Sequence, residues 1–413
     1  DQYIINIMKI VHTADWHIGK ILHRHDLTDD ITRFFDWLVG FLKDEKADVL
    51  LVSGDIFDLA NPSNRDTALY FKTLLRLSEL NIKVIITGGN HDSISLLEAP
   101  SGLLQTLNIH VLGGAKDDIS NEIIPCHYPD GSIGCVILAV PFLRDKDLRA
   151  SLPADQLMDK TKTTETGIRH HYERLVDLAK STYGDDVPVI AMGHLFMKGA
   201  VTSDSEREVH IGSLDGLVLD VIPKGIDYMA LGHIHKPQKV HNLKHVRYCG
   251  SPIFLDFSER NYEKRVIVVD VKQKNDVEIK SHPIPLARDM VRFTGTLESV
   301  KRELENFKNT RPLCAFVELD IVEKGLDILK VQELEDWREK IISDHFKILK
   351  SRISFENESS DILEIPSNGM SKSIHELSPL DIFRQKIEES VFDEVTALSL
   401  TDAYMHLLEE VNH

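Results

Sequence analysis

The chain is short of positive charge. Its 413 residues carry 48 Lys and Arg against 66 Asp and Glu, a formal net charge of −18. A protein that holds nucleic acid by its own charge is ordinarily basic. If nucleic acid is the substrate, divalent ions or a partner must supply part of the positive field, because carboxylates at a metal site count as negative until ions fill it. Cysteine is scarce as well. Cys126, Cys135, Cys249 and Cys314 are scattered and form no C-x-x-C pair, which leaves no zinc or disulfide framework and fits a reducing, cytoplasmic setting. No apolar run is long enough to cross a bilayer. The opening Asp1-Gln-Tyr-Ile-Ile-Asn-Ile7 lacks the basic end and cleavage site of a signal peptide. Met8 is the expected natural start, with residues 1–7 an upstream extension or tag remnant. No serine or cysteine nucleophile motif is evident.

What is present is a soluble globular composition, 42% apolar and 28% charged, in a chain long enough for two or three units. Its organising stretch is Gly54-Asp55-Ile56-Phe57-Asp58, which follows an apolar run over residues 48–53 that reads as a buried parallel strand. Open α/β sheets build their sites at the C-terminal ends of strands. Asp55 can therefore offer oxygens to both sides of a crevice, as a carboxylate bridging two ions must. Four other predicted strands end in polar groups: Asp15-Trp16-His17, Gly89-Asn90-His91-Asp92, Gly193-His194 and Gly232-His233-Ile234-His235. Residues two apart in extended chain share a face, so each D-x-H or H-x-H pair can turn two ligands into one crevice. Each piece alone is weak, but five in this order after predicted strands point to a two-metal hydrolase.

Sorted by reach, Asp15, His17, Asp55 and His235 can surround one ion, and Asp55, Asn90, His194 and His233 a second. Carboxylate, imidazole and amide oxygen together suit Mn²⁺, Fe or Zn²⁺. Two ions about 3.5–4 Å apart can clamp phosphate oxygens and activate water for in-line attack. His91 is the candidate for protonating the leaving alkoxide or supporting the phosphate. Asp92 is expected to orient His91 as a carboxylate behind a histidine does, with His12 and Asp58 backing the ligands. Arg65, Arg207 and Lys236 are candidate DNA contacts.

The alternation of strands and helices predicts an α/β fold: two packed β-sheets flanked by helices in four layers. Thr28 is expected to cap a helix that turns Ile31, Phe34, Phe35 and Leu38 toward a sheet. A second helix over 65–80 should largely bury Leu69, Leu74, Leu75 and Leu77. Residues 144–165 read as a polar surface excursion, 198–207 as a mobile loop, and 247–252 with 265–270 as strands of the second sheet. A boundary is expected near 271–283, giving a two-metal hydrolase domain over 8–280 and a small α+β domain over 281–356 without a ligand set of its own. Residues 357–377, with Pro366 and Gly369, have linker composition. Ser378-Pro379 is a helix start, and 378–413 reads as a two-helix tail that docks a partner or folds back on the body.

The set D-x-H, G-D-x-x-D, G-N-H-D, G-H and G-H-x-H, spread over residues 9–236, resembles the calcineurin-like metallophosphoesterase superfamily. The opening 9–19, Thr202-Ser-Asp-Ser-Glu-Arg207, residues 232–238 and Tyr248-Cys-Gly-Ser-Pro252 resemble one branch, DNA nucleases that act with a coiled-coil ATPase. The length, the small second module and the helical tail fit that branch. The resemblance implies Mn²⁺-dependent, ATP-coupled 3′→5′ exonuclease action on double-stranded DNA and endonuclease action on single strands or hairpins, in repair, replication and recombination. It also implies a homodimer, a cap formed by the small module, and docking of residues 378–413 on the base of the ATPase coiled coil. One position departs from some relatives, where a histidine follows the bridging aspartate by three residues; here Asp58 stands there. Two other readings compete. A small-molecule phosphodiesterase or phosphatase of the same superfamily is favoured by the acidic charge. A scaffold with a decayed site is opposed by the complete ligand set.

Overall fold

The computed structural model describes residues 6–150, 160–206, 216–325, 327–356 and 362–366. Arg207 and the tail 378–413 lie outside them. The chain opens with β1 (Met8–Thr13), a small hairpin of β2 (Ile21–Leu22) and β3 (His25–Asp26), α1 (Thr28–Glu45), β4 (Val49–Ser53), α2 (Asn64–Ser78) and β5 (Lys83–Thr87). Two short helices, α3 (Ile94–Glu98) and α4 (Ser101–Thr106), lead to β6 (Ile109–Leu112), β7 (Ile123–His127) and β8 (Ile133–Ala139). Then come α5 (Asp145–Ala150), α6 (Lys160–Tyr183), β9 (Val189–His194), β10 (Tyr228–Gly232), β11 (Gln238–Lys239) and β12 (Val246–Tyr248). A long hairpin, β13 (Arg265–Gln273) with β14 (Asp276–Pro283), follows.

These strands form two six-stranded sheets, ordered β14-β13-β1-β4-β5-β6 and β11-β12-β10-β9-β8-β7. In the first, β1, β4, β5 and β6 run parallel, and the β13–β14 hairpin closes one edge antiparallel. In the second, β8, β9, β10 and β12 run parallel, flanked by antiparallel β7 and β11. Alternate residues of a strand point to opposite faces, and this sorts the core. Met8, Ile10, Val49, Leu51, Ile267 and Val269 from the first sheet meet Ile137, Ala139, Ile190, Met192 and Ala230 from the second. The other face of the second sheet, with Leu138, Ala191 and Leu231, packs on Ile168, Tyr172, Leu175 and Ala179 of α6. Helix α1 buries Ile31, Phe34, Phe35, Leu38 and Leu42, and Phe35 meets Trp16 edge-on with ring centroids 4.8 Å apart. The four-layer α/β sandwich is the expected fold.

Contacts divide the chain into two compact units, one running to Met290 and including Thr310–Ala315, the other holding Val291–Asn309 and the residues from Phe316 on. The second contains β15 (Met290–Gly295) and β16 (Ala315–Lys324), each past its first residue, with α7 (Leu297–Asn306), α8 (Ile328–Lys340), β17 (Phe346–Glu356) and β18 (Ile362–Pro366). Its sheet is ordered β15-β16-β17-β18. Helix α7 starts on Thr296, whose side chain accepts from Ser299 N, and buries Leu297, Val300 and Leu304. No described helix is long and apolar enough to cross a membrane.

Several local expectations are corrected. Residues 265–270 belong to the first sheet, because β13 pairs antiparallel with β1. The boundary expected at 280–281 falls inside that sheet's edge hairpin, and the division lies at 290–291. Within the expected linker 357–377, β18 pairs with β17. Thr28 is not the cap of α1. Leu27 holds that position with no side-chain bond, and Asp26 Oδ1 accepts from Thr28 N at 3.2 Å. Leu75 is exposed on α2. The polar stretch 144–165 contributes α5 and the first turns of α6.

Asp30 of α1 and Arg288, just after β14, form a buried ion pair: Nε lies 3.0 Å from Oδ1 and 3.1 Å from Oδ2. Burial raises the Asp30 carboxyl while Arg288 opposes the rise. Removing one charge of such a pair strands the other, at about 3–5 kcal/mol. Arg288→Ala should therefore lower stability by about that amount in urea unfolding. A change within about 0.5 kcal/mol, the scale of a surface substitution, would contradict this role.

Candidate metal centre

Five parallel strands, β1, β4 and β5 of one sheet and β9 and β10 of the other, deliver polar loops to one place. Ser53 Oγ donates to Ala230 O at 3.0 Å, joining the end of β4 to β10. Beyond their strand ends the β1 and β4 loops continue to pair. Asp15 N donates to Gly54 O at 3.1 Å, His17 N to Asp55 O at 3.0 Å, Ile18 N to Ile56 O at 2.9 Å, and Asp58 N to Ile18 O at 3.1 Å. Within this zipper Asp15, His17 and Asp55 adopt left-handed backbone, φ 51°, 44° and 49°, and His233 has φ 96°. Such conformations are uncommon for residues with a Cβ and cluster at functional sites. The neighbouring glycines are required by close approach. A Cβ on Gly54 would lie 2.1 Å from His194 Nδ1, and one on Gly89 2.1 Å from Asp55 Oδ1.

Asp55 sits at the centre. Its Oδ1 accepts from His91 N at 3.0 Å. Its Oδ2 lies 3.3 Å from His194 Nε2 and 3.6 Å from His17 Nε2, so one oxygen faces an imidazole from each expected ligand set. Asp15, His17 and Asp55 have ligand atoms within 4.8 Å of one another, as do Asp55, His194 and His233. Asn90 Oδ1 is 2.9 Å from His194 Nε2, and His235 Nε2 is 3.2 Å from His17 Nε2. All seven sequence-predicted ligands thus meet, and six are buried, with Asn90 half-buried.

The donor set can be tested against divalent ions on its own chemistry. Asp15 Oδ1 accepts from His233 N at 2.8 Å, but Oδ2 is buried with no hydrogen-bond partner. Burial raises the Asp15 carboxyl to about 7, against His194 and His235. Burial also lowers His17, to about 4, and His233, keeping both imidazoles neutral. For His194 burial acts downward too, but the Asp55 carboxylate outweighs it and raises the group to about 9. An orphaned carboxylate oxygen beside imidazoles that burial keeps neutral, His17 and His233, is a donor set that hard-to-borderline cations use. These residues fit two divalent ions.

The residues expected behind the ligands divide. Asp58 Oδ1 lies 3.2 Å from His17 Nδ1 and 3.2 Å from Lys20 Nζ, so its charge stands beside His17, off the line of a hydrogen bond to that buried nitrogen. Burial raises its pKa, but those two partners outweigh burial and hold it below the carboxylate range. His91 Nδ1 lies 2.7 Å from the Asp58 carbonyl. That main-chain oxygen, not Asp92, orients His91. Asp92 is a brace: it accepts from Gly89 N at 2.8 Å, Phe57 N at 2.9 Å and Ile56 N at 3.1 Å. Its oxygens accept three amides of the two loops, which ties those loops together. Nor does His12 touch a ligand; it lies between the sheets, with Nδ1 2.9 Å from Tyr228 Oη, and burial lowers it to about 3.

One network gave no signal in the sequence. Glu259 Oε1 lies 3.1 Å from His235 Nδ1 and 2.6 Å from Ser205 Oγ, and Oε2 lies 2.6 Å from Lys264 Nζ. Glu206 Oε1 accepts from His235 N at 2.9 Å. Glu259 and Lys264 are fully buried. Burial raises the Glu259 carboxyl, but Lys264 and His235 outweigh it and keep the group ionised. With Nδ1 held on this side, His235 presents Nε2 to the ion site. The loop 198–207, expected to be mobile, supplies Ser205 and Glu206 to this network. Of the candidate DNA contacts, Arg65 is 57% exposed and pairs with Asp26 at 3.0 Å, and Lys236 Nζ lies over the Tyr262 ring at 5.3 Å.

Partners behind a metal-bound histidine typically change affinity by about 10–100-fold when removed. Glu259→Gln should weaken Mn²⁺ binding by about that factor in calorimetry, and should also destabilise the chain by stranding Lys264. The double change Glu259→Gln with Lys264→Met should recover stability without recovering Mn²⁺ affinity. Wild-type affinity in the stable double variant would rule out a role for Glu259 in holding His235.

The sequence pattern of the calcineurin-like phosphoesterase family matches residues 8–237. The chain is 29% identical over 368 residues to SbcD of the nuclease SbcCD from Escherichia coli (strain K12), covering 84% of this chain and 91% of that protein. It is 36% identical over 310 residues to SbcD of the nuclease SbcCD from Rhodobacter capsulatus, covering 72% and 75%. The corresponding SbcD from Bacillus subtilis (strain 168) is 27% identical over 362 residues, covering 86% and 88%. The match begins on β1 and runs through every strand end that carries an expected ligand, and the chain belongs to the calcineurin-like phosphoesterase family of metal-dependent hydrolases.

Proposed function

We propose that this chain is the nuclease component of an SbcCD-type complex and hydrolyses DNA phosphodiester bonds with two divalent ions. The observation that carries the reading is Asp55 Oδ2, which faces His17 at 3.6 Å and His194 at 3.3 Å. In this reading Asp15, His17, Asp55 and His235 hold one ion and Asp55, Asn90, His194 and His233 the other, with Mn²⁺ the preferred metal. Bound there, the ions supply Lewis acidity toward the phosphate and an activated water. The protein's own part is to fix that geometry and to manage the leaving oxygen. His91 does the second. Its Nδ1–H donates to the Asp58 carbonyl, so Nε2 is the nitrogen that gives a proton to the departing alkoxide. Asp92 keeps the two loops in register.

The finer activity follows the sequence resemblance alone: ATP-dependent 3′→5′ exonuclease action on duplex DNA and endonuclease action on single strands or hairpins, in repair, replication and recombination. The same resemblance implies a homodimer and an SbcC-like coiled-coil ATPase bound through residues 378–413, and the scarce, unpaired-in-sequence cysteines fit a cytoplasmic setting. From the resemblance we assign the second compact unit the capping role. The runner-up is a small-molecule phosphodiesterase of the same family.

The test is a Mn²⁺ titration on end-labelled linear duplex, with and without the ATPase partner, beside hydrolysis of bis(p-nitrophenyl) phosphate. Mononucleotide release that requires Mn²⁺ and rises with partner and ATP is expected. Brisk cleavage of the small diester with no DNA cleavage under any condition would favour the runner-up. In the same assays His91→Asn should retain both ions but lose about 10²–10⁴-fold in turnover; near-normal rates would remove His91 from the mechanism.

A further inference from the structure

A second cationic feature lies away from the metal ligands. At the open edge of the sandwich, where β11 and β12 of one sheet approach β13 and β14 of the other, there is a cleft of about 370 Å³. Its wall includes Ile267 and Tyr248, and its polar side chains include Lys239, Arg247, Arg265 and His241, with no carboxylate among the lining residues. In a chain of net charge −18, three fixed cations without a lining acid are unexpected.

The arrangement is also unfavourable by itself. Lys239 and Arg247 are register partners across the antiparallel β11–β12 pair, and like charges directly opposite destabilise a sheet. Burial, together with the neighbouring Arg265 charge, pushes the Arg247 guanidinium below its ordinary value. Arg247 Nε donates to Lys244 O at 2.8 Å. Neither Lys239 nor Arg247 has an ion-pair partner among the described residues. Among the described residues Arg265 pairs only with Glu263, two residues before it and 67% exposed. Lys239 and His241 are exposed and Arg247 and Arg265 half-buried, so the charge is reachable from solvent. An anion would relieve the repulsion. Guanidinium pairs bind phosphate through forked hydrogen bonds. The cleft also adjoins the site in sequence, since β11 begins three residues after His235.

We propose that this cleft, built by Lys239, Arg247 and Arg265, binds backbone phosphates of the DNA duplex beside the cutting site. The proposal rests on the nuclease reading above and names residues that Arg65 and Lys236, both engaged elsewhere, do not replace. It also gives an acidic chain a local positive surface with which to hold a polyanion.

The test uses the full chain and a fluorescent duplex, with Ca²⁺ in place of Mn²⁺ to slow cleavage, and reads anisotropy across a salt series. Each phosphate contact removed should lower the slope of log affinity against log salt by about 1. Arg247→Gln with Arg265→Gln should thus flatten the slope by about 2 and weaken binding at least about tenfold at low salt. Hydrolysis of bis(p-nitrophenyl) phosphate should stay at the wild-type rate. Lys239→Gln, an exposed single change, should show a slope change of about 1 should the double variant fold poorly. An unchanged slope in folded variants would overturn the proposal while leaving the nuclease reading intact. A mononucleotide or inorganic phosphate displaced from wild type but not bound by the double variant, with duplex binding unchanged, would make the cleft a small-anion site and overturn it too. Wild-type protein that binds no duplex at all would overturn both readings.

Discussion

The placement of one carboxylate governs much of this structure. Asp55 stands where β4 has ended, in a backbone conformation that an aspartate rarely adopts. It is held there by the zipper of main-chain bonds between the β1 and β4 loops, and by Gly54 and Gly89, whose missing side chains leave room for His194 and for Asp55 itself. The loop carrying Asn90 and His91 is fastened to it through His91 N and through the three amides that Asp92 accepts. Loosening any of these would move the oxygen that both ligand sets face.

Such a site is expensive to bury. Two aspartates and four histidines lie out of water within one cluster, and a fifth histidine, His91, closes its rim. Unpaired buried charge costs several kcal/mol unless it is compensated. The chain supplies part of that compensation through neutral imidazoles and main-chain donors, and through the Glu259–Lys264 pair behind His235. Divalent ions would supply the rest. This also bears on the net charge of −18: part of the negative charge faces the ions, and the cations of the edge cleft are segregated from it.

The convergence of the seven candidate ligands and the two-sheet architecture were legible because such chemistry asks for particular residue types at strand ends, and strand ends are marked by apolar runs that stop at glycine or aspartate. What lay beyond sequence was decided by which chain neighbours which. Asp92 sits beside His91 in sequence, yet its oxygens are taken by amides from 35 and 36 residues away. Glu259 and Lys264 lie in a polar stretch that reads as surface, and only the folded chain pairs them out of water. Strand β13 reads as a strand in any window, but its sheet is set by antiparallel pairing with β1. The opposition of Lys239 and Arg247 depends on a two-residue edge strand, too short to announce its register.

The most direct measurement is anomalous diffraction at the manganese edge from crystals of the chain grown with Mn²⁺. The account predicts two peaks about 3.5–4 Å apart, with Asp55 Oδ2 between them, His17 and His235 on one and His194 and His233 on the other. A single peak, or two peaks that do not share Asp55, would contradict it.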